Sequence, residues 1–507
     1  LDGVSLRFDI NEHIAVSGPP GGGKSQLALA LARLLEPSSG QITIGEQDLS
    51  ELPEAVIGRR LGYVGQDPYL FNMSLRDNLL YGLKHVPRNA VSYREGDKRR
   101  WFDIVEARRS GNPEFDIADD WIDYEAAGAT GPEDINEKLI AVLPLVELEE
   151  DVYQFGLRGT IDPEQQPRIA AAVMEARRAL RSRLADSNVG NLVEPFDRNR
   201  YNKNMSVAEN LLFGTPVGPA FAAERLSENA YLWSVLESQG LVPALFDVGR
   251  QIAETMVELF ADLPPGHEFF EQFSFIGADE LPEYRALLGR IGKAGPERAS
   301  QKDRALLVGL TFPYVEARHR LGVIGPEMEA RVLAARHAFA EGLPTELAGA
   351  IEFYDETRYN AAASLQDNIL FGRLVYGQAQ AAAIIGRLIS EVLDGLGLQH
   401  RVLEVGLDFP VGNAGKRLTA AQRQKVGLAR ALLKRPDLLI VNEATAVLDA
   451  ASQARILAAV LKARAGQGVF WVVPDKHAVD GFDRVIVVRD GRIVHQGRPD
   501  ELDPAAE

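Results

Sequence analysis

The chain has 507 residues, 46% hydrophobic and 25% charged; a chain of this size needs two or three compact units, and the composition excludes global disorder. A formal net charge of −17, from 55 basic and 72 acidic residues, argues against a broad nucleic-acid footprint or a polybasic membrane-surface mode. With no cysteine, disulfides, thiolate zinc sites and cysteine nucleophiles are excluded.

No apolar stretch reaches the roughly 18 residues that span a bilayer. The opening Leu1-Asp2-Gly3-Val4-Ser5-Leu6 reads as mid-domain sequence, so any membrane part is expected upstream or in another chain. His13-Ile14-Ala15-Val16-Ser17 is a short apolar run suited to a buried strand. Gly18-Pro19-Pro20-Gly21-Gly22-Gly23-Lys24-Ser25 follows, matching G-x-x-x-x-G-K-[ST]. Leu27, Leu31, Leu34 and Leu35 then recur at helical spacing. In this context the glycines turn backbone N–H groups onto a phosphate at a helix N-terminus. Lys24 suits the β- and γ-phosphates of a nucleotide, and the Ser25 hydroxyl suits Mg²⁺. The plainer alternative, a glycine-rich turn with a chance lysine, does not account for the flanking strand and helix.

Leu35-Glu-Pro-Ser-Ser-Gly-Gln-Ile-Thr-Ile-Gly45 and Tyr63-Val-Gly-Gln66-Asp-Pro-Tyr-Leu-Phe-Asn-Met-Ser-Leu-Arg-Asp-Asn-Leu-Leu-Tyr-Gly82 make the resemblance specific. They resemble the ABC ATPases, the first as the segment before the early β-hairpin, the second as the Q-loop of the exporter branch. The resemblance implies an α/β fold, a P-loop NTPase core with a mixed or parallel sheet. It implies that Gln66 contacts Mg²⁺ and the attacking water, and that its loop meets a transmembrane partner. The family's adenine-stacking aromatic would fall upstream of Leu1, so nucleotide binding by this chain is expected to be weaker than with that residue present.

From Gln66 to Leu418 the gap is several times the family's usual length, an insertion of roughly 270 residues. Residues 84–372 are expected to form an enlarged helical lobe inside a discontinuous core of 1–83 and 373–507. Ile169, Val173, Ala176, Leu180 and Leu184 lay one apolar stripe along a helix. Asn72-Met-Ser-Leu-Arg-Asp-Asn78-Leu-Leu-Tyr-Gly82 recurs as Asn204-Met-Ser-Val-Ala-Glu-Asn210-Leu-Leu-Phe-Gly214. It recurs again as Ala362-Ala-Ser-Leu-Gln-Asp-Asn368-Ile-Leu-Phe-Gly372. Only the first copy has glutamine at the Q position; Arg198 and Glu356 stand there in the others. Gly156-Leu-Arg-Gly-Thr-Ile161 similarly resembles Gly406-Leu-Asp-Phe-Pro-Val411. The expectation is a helical subdomain duplicated twice; the alternative is a set of ordinary helix-to-loop junctions. His267 and His337 lack metal spacing, and the Phe269, Phe270, Phe273 and Phe275 cluster reads as packing.

Near the C-terminus, Leu418-Thr419-Ala420-Ala421-Gln422 resembles the family's L-S-G-G-Q signature. Leu438 to Val441 is an apolar run suited to a central parallel strand. With Asn442 and Glu443 it resembles Walker B and the catalytic glutamate, and Leu448-Asp449 resembles the D-loop. Val469–Val473 reads as a further strand. Val485 to Gly497 reads as a terminal hairpin turning at Asp490-Gly491.

Four features depart from the family. Ala420 and Ala421 replace signature glycines that in the family approach the partner subunit's nucleotide closely, where added Cβ atoms would clash with it or restrict the backbone. Asn442 replaces an aspartate and lowers the charge available to Mg²⁺. Asp475 takes the switch-histidine position, with Lys476 and His477 beside it. Gln26 replaces a second hydroxyl residue after Ser25. The resemblance places the nucleotide on Gly18, Gly21, Gly22, Gly23, Lys24, Ser25 and Gln26, with Thr419 and Gln422 facing it across a dimer. Metal contacts fall to Ser25, Gln66 and Asn442, and catalysis to Glu443 and Gln66.

The function this implies is the nucleotide-binding domain of an exporter at the cytoplasmic face of the cell membrane. It would hold ATP and Mg²⁺, pair with a second such domain, drive a transmembrane domain and bind no nucleic acid. The alternative is an ATP-binding regulatory or structural subunit with little hydrolysis, to which the departures point. A chromosome-maintenance ATPase fits less well: its inserted segment is a heptad coiled coil, whereas this one has frequent Pro and Gly.

Overall fold

A computed structural model describes residues 1–89, 98–185, 189–260, 276–292, 295–473 and 479–501. The chain forms two compact units, Leu1–Gly156 with Val402–Glu507, and Leu157–Arg401.

The first unit is built on a six-stranded sheet. Its order is Arg492–Gly497, Arg484–Arg489, His13–Ser17, Gly468–Val472, Leu438–Asn442, Leu61–Val64. All neighbours are parallel except the terminal hairpin. The central strands are near-continuous apolar runs because both faces are covered; Ile14, Val16, Ile440, Phe470, Val472 and Ile486 form one core with Leu27 and Ala28. The edge strand Arg492–Gly497 instead alternates in exposure. Asp490 (φ 48°) and Gly491 (φ 78°) make the turn, both left-handed as a two-residue hairpin requires. The helix after the glycine loop is shorter than the leucine spacing suggests. It covers Lys24–Leu31, and Arg33 turns left-handed just beyond it. Leu34 and Leu35 therefore fall outside it and are exposed.

The second unit is mainly helical, around a core that includes Leu232, Phe246, Ile252, Leu307, Tyr314, Val332 and Phe339. The apolar stripe read from the sequence lies on the helix Pro167–Ala185, which buries Val173, Ala176 and Leu180. The second and third repeat segments lie in this unit and exchange strands: Gly372–Leu374 pairs with Val193–Pro195, and Gly214–Pro216 with Ile351–Phe353. Phe196 and Tyr354, at equivalent repeat positions, stack with centroids 4.3 Å apart.

The three repeat segments use one hydrogen-bonding device. Each has a short helix, Leu75–Leu80, Val207–Leu212 or Leu365–Leu370, capped by the hydroxyl of Ser74, Ser206 or Ser364. Each buries an asparagine, Asn78, Asn210 or Asn368. The asparagine amide donates to the serine carbonyl four residues back, at 3.0 Å in every case. An arginine from a longer helix then donates through Nε to the asparagine backbone and through Nη2 to its side chain: Arg430 to Asn78, Arg336 to Asn210, Arg177 to Asn368. In chain order the segments and arginines alternate, yet the pairing is crossed. The first segment takes the last arginine and the third segment takes the first.

In the first unit, the helices Glu149–Arg158 and Gln399–Leu407 meet through glycine. A Cβ on Gly156 would lie 1.9 Å from the Val402 carbonyl oxygen, and one on Gly406 would lie 1.9 Å from that of Val152. Phe155 stacks on Phe409 beside this contact, centroids 4.1 Å apart. The chain leaving Gln399–Leu407 then bonds the first repeat, the Leu75 amide donating to the Phe409 carbonyl at 2.8 Å. In the second unit, the Leu365 amide of the third repeat donates to the Gly159 carbonyl, just past the end of Glu149–Arg158, at 2.9 Å.

Candidate functional site

The sheet register sets the site. Val16 pairs with Val472 and Val472 with Asn442, while Val441 pairs with Val64. Residues 17–18, 443 and 65–66 therefore leave the sheet together at the carboxyl ends of parallel strands. In open α/β sheets that edge is where ligands bind.

Gly18, Gly21 and Gly23 have φ of 139°, 77° and 110°, conformations that side chains disfavour. The loop also passes close over the neighbouring strand. A Cβ on Gly18 would lie 2.1 Å from the Val488 carbonyl oxygen, and one on Gly22 2.8 Å from the same atom. The Gly491 amide donates to the Gly22 carbonyl at 2.9 Å, tying the terminal hairpin to the loop. Lys24 is buried and turned back on the loop, its Nζ donating to the carbonyls of Gly18 and, at 3.3 Å, Pro19. No carboxylate is hydrogen-bonded to it among the described residues. The helix Lys24–Leu31 starts without a side-chain cap, leaving first-turn N–H groups for a ligand. Ser25 is half-buried and Gln26 exposed on that turn. A glycine cradle, an inward lysine and an uncapped helix end suit an anionic phosphate.

Asn442 ends the central strand. Its Nδ2 donates to the Tyr63 hydroxyl at 3.1 Å, and its Oδ1 is buried with no hydrogen-bond partner. Such an orphaned oxygen carries a desolvation cost that a bound cation or its water would relieve. Glu443 follows in the left-handed region, φ 53°, an unfavourable backbone for a non-glycine residue that recurs at functional positions. Its side chain is half-buried. Gln66 is exposed, and its backbone carbonyl accepts from Nε2 of Gln424 at 2.8 Å.

Thr419 and Gln422 form a capping box at the start of the helix Ala420–Leu433. The Thr419 hydroxyl accepts from the Gln422 amide at 3.1 Å, and Gln422 Oε1 accepts from the Thr419 amide at 2.9 Å. Gln422 Nε2 also donates to Asp151 at 2.8 Å. Ala420 and Ala421 continue the helix with no left-handed angle. The expected backbone restriction therefore does not arise: these positions require no glycine conformation in this chain. Asp475, Lys476 and His477 lie outside the described residues, as do His267 and the Phe269–Phe275 cluster.

Three residues of this region escaped the sequence reading. Gln424, Arg430 and Tyr63 contact the Q-loop segment or Asn442. Arg430 had a usable signal, since Val-x-x-Ala-Arg recurs at Val173–Arg177, Val332–Arg336 and Val426–Arg430.

Residues 1–149 match the ABC transporter family. The unit carrying the glycine loop is an ABC ATPase P-loop fold, with a sheet of mixed parallel and antiparallel strands. The chain is 34% identical over 139 residues to the heterocyst differentiation ATP-binding protein HepA of Nostoc sp., covering 27% of this chain and 22% of that protein. It is 37% identical over 145 residues to the glutathione/L-cysteine transport system ATP-binding/permease protein CydD of Escherichia coli, covering 28% and 24%. A solved bacterial Atm1-family ABC exporter with ATP bound covers 98% of this chain and 36% of its own at 13% identity, TM-score 0.33. The chain thus spans about a quarter of the length of the curated relatives it matches. Among the described residues no helix is long and apolar enough to cross a membrane.

Proposed function

We propose that this chain, with an ABC-type nucleotide-binding fold, is the ATP-driven component of a membrane exporter. The observation that carries the reading is the shared sheet edge. It brings Lys24 and its glycine loop, Gln66, Asn442 and Glu443 to one side of the fold. ATP would lie with its phosphates on Gly18, Gly21, Gly22, Gly23, Lys24 and Ser25, with Gln26 on the outer side of the same turn. Lys24 would exchange its bonds to the loop carbonyls for the phosphates. Mg²⁺, when bound, would neutralise phosphate charge, held by Ser25, Gln66 and the Oδ1 of Asn442. Glu443 would orient a water in line with the terminal phosphate and accept its proton, and Gln66 would help position it.

The partners in this proposal are a second nucleotide-binding domain, presented to ATP through Thr419 and Gln422, and a transmembrane domain at the cytoplasmic face of the membrane. A cleft of about 420 Å³ lined by Tyr63, Gln66, Tyr69, Arg430 and Lys434 is the proposed docking place for the transmembrane partner. The three arginine–asparagine devices support reading the inserted lobe as a helical subdomain duplicated twice. The test is steady-state phosphate release from ATP by the chain and by Glu443→Gln. Slow release that Glu443→Gln abolishes supports the proposal; release unaffected by the substitution, or none, rejects hydrolysis at this site.

A further inference from the structure

Gln424 is almost fully buried, 2% exposed, in the helix Ala420–Leu433. Its side-chain amide joins two loops that leave separate strands. Nε2 donates to the Gln66 carbonyl at 2.8 Å, and Oε1 accepts from the Val447 amide at 3.3 Å. Val447 follows Glu443 on the loop that runs to Asp449, which caps the helix Ala450–Ala463. The Gln66 backbone and Val447, four residues after Glu443, are therefore bridged by one planar amide that donates to the first and accepts from the second.

Two further contacts show that this helix registers the Gln66 loop. Gly427 lies one turn on, where a Cβ would meet Pro68 Cβ at 2.6 Å. Arg430 lies another turn on and donates to the Tyr69 carbonyl at 3.0 Å. The other two arginine helices provide an internal comparison. Six residues before Arg177 and Arg336 stand Ala171 and Ala330, where the third helix has Gln424. The arginine device is complete with alanine at that position, so a buried amide is not needed to build the helix or its latch. Burying one is favourable only with both hydrogen bonds made, and only here do two loops of the site supply the partners.

We propose that Gln424 is a positioning residue that holds the Gln66 loop and the Glu443–Asp449 loop in one frame, so that the two groups assigned to the attacking water keep their relative placement. This rests on the proposed function for its kinetic consequence but not for its structural one. The test is Gln424→Met, which keeps the volume and removes both hydrogen bonds, studied in the full chain. Residue-resolved amide exchange without nucleotide should show Val447 exchanging about ten-fold faster or more. Ala446 and Leu448, whose amides bond the Glu443 and Thr445 carbonyls, should stay as slow as before. With MgATP, kcat should fall roughly ten-fold while KM and the dissociation constant stay within about two-fold. If Gln424→Met does not fold, Gln424→Glu retains the acceptor: Val447 should remain protected while kcat still falls. Unchanged Val447 exchange in the methionine variant, or a kcat loss matched by an equal loss of MgATP affinity, would overturn the proposal. Absence of hydrolysis in the unsubstituted chain would instead count against the proposed function, with Val447 exchange still deciding the role of Gln424.

Discussion

Arg336 donates through Nε to the backbone carbonyl of Asn210 at 2.6 Å and through Nη2 to its side-chain carbonyl at 2.8 Å. Its Nη1 is shared by the carbonyls of Asp197, Arg198 and Arg200, and its guanidinium lies over the Phe213 ring at 4.3 Å. Arg177 repeats every element of this with Asn368, Asp355, Glu356, Arg358 and Phe371. Neither guanidinium has a carboxylate among these hydrogen bonds. Burial, against weaker opposing help chiefly from Asp355 at Arg177 and from Tyr201 and Asp197 at Arg336, lowers both arginines to about 10. These charges are tolerated because carbonyl oxygens saturate their planar fork.

Removing the asparagine acceptor should therefore be costly. Asn210→Ala or Asn368→Ala leaves a buried guanidinium short of a partner, and each should destabilise its unit by about 1–3 kcal/mol. Urea unfolding followed by fluorescence reads the loss. A change within error of zero would mean that water replaces the asparagine.

Gly156→Ala and Gly406→Ala each place a Cβ against a backbone oxygen. Because backbone cannot rotate away as a side chain can, each should cost about 1–3 kcal/mol or more. Gly58→Ala, in the helix Glu54–Arg60 with open space at the Cβ, is the control and should stabilise by about 0.5–1 kcal/mol. Equal effects at the three sites in thermal unfolding would contradict the glycine crossing.

His319 is held down to about 4 by burial first and the nearby Arg318 second. The Val315 amide donates to Nδ1 at 2.9 Å, so the neutral ring fits the fold. The unfolded chain binds the proton at about 6.5 and the folded chain only near 4. The stabilisation is therefore complete above pH 6.5 and is lost as pH falls towards 4. His319→Gln should flatten the pH dependence of the unfolding midpoint in this window. An unchanged slope would show that the ring titrates freely in the folded state.

The core was legible because its signals are local. The strand before Gly18, the strand ending at Asn442 and the hairpin turn at Asp490-Gly491 follow from apolar runs and turn chemistry. The repeats at Asn78, Asn210 and Asn368 were visible as words, but their partners were not. Arg430, Arg336 and Arg177 lie far along the chain, and the crossed pairing depends on tertiary contacts that no local pattern encodes. Leu34 and Leu35 misled because leucine spacing continues past the point where Arg33 turns left-handed. At Ala420 and Ala421 the family's glycines suggested special backbone angles, and the structure has regular helix there instead; the close approach of a partner's nucleotide is a separate matter that the helix does not decide.

Asn442→Asp restores a carboxylate beside Tyr63 at the end of the central strand. It should tighten MgATP binding in a Mg²⁺-dependent way, by roughly ten-fold, with little effect on ATP in chelator. Equal tightening with and without Mg²⁺ would remove Asn442 from the metal set.

The central claim, that nucleotide phosphates bind the Gly18–Ser25 loop, is tested most directly by calorimetric titration of MgATP into the full chain and into Lys24→Ala. The account predicts saturable one-site binding to the unsubstituted chain and a loss of at least about ten-fold in affinity when Lys24 is removed. No binding to the unsubstituted chain, or equal binding by both, would contradict it.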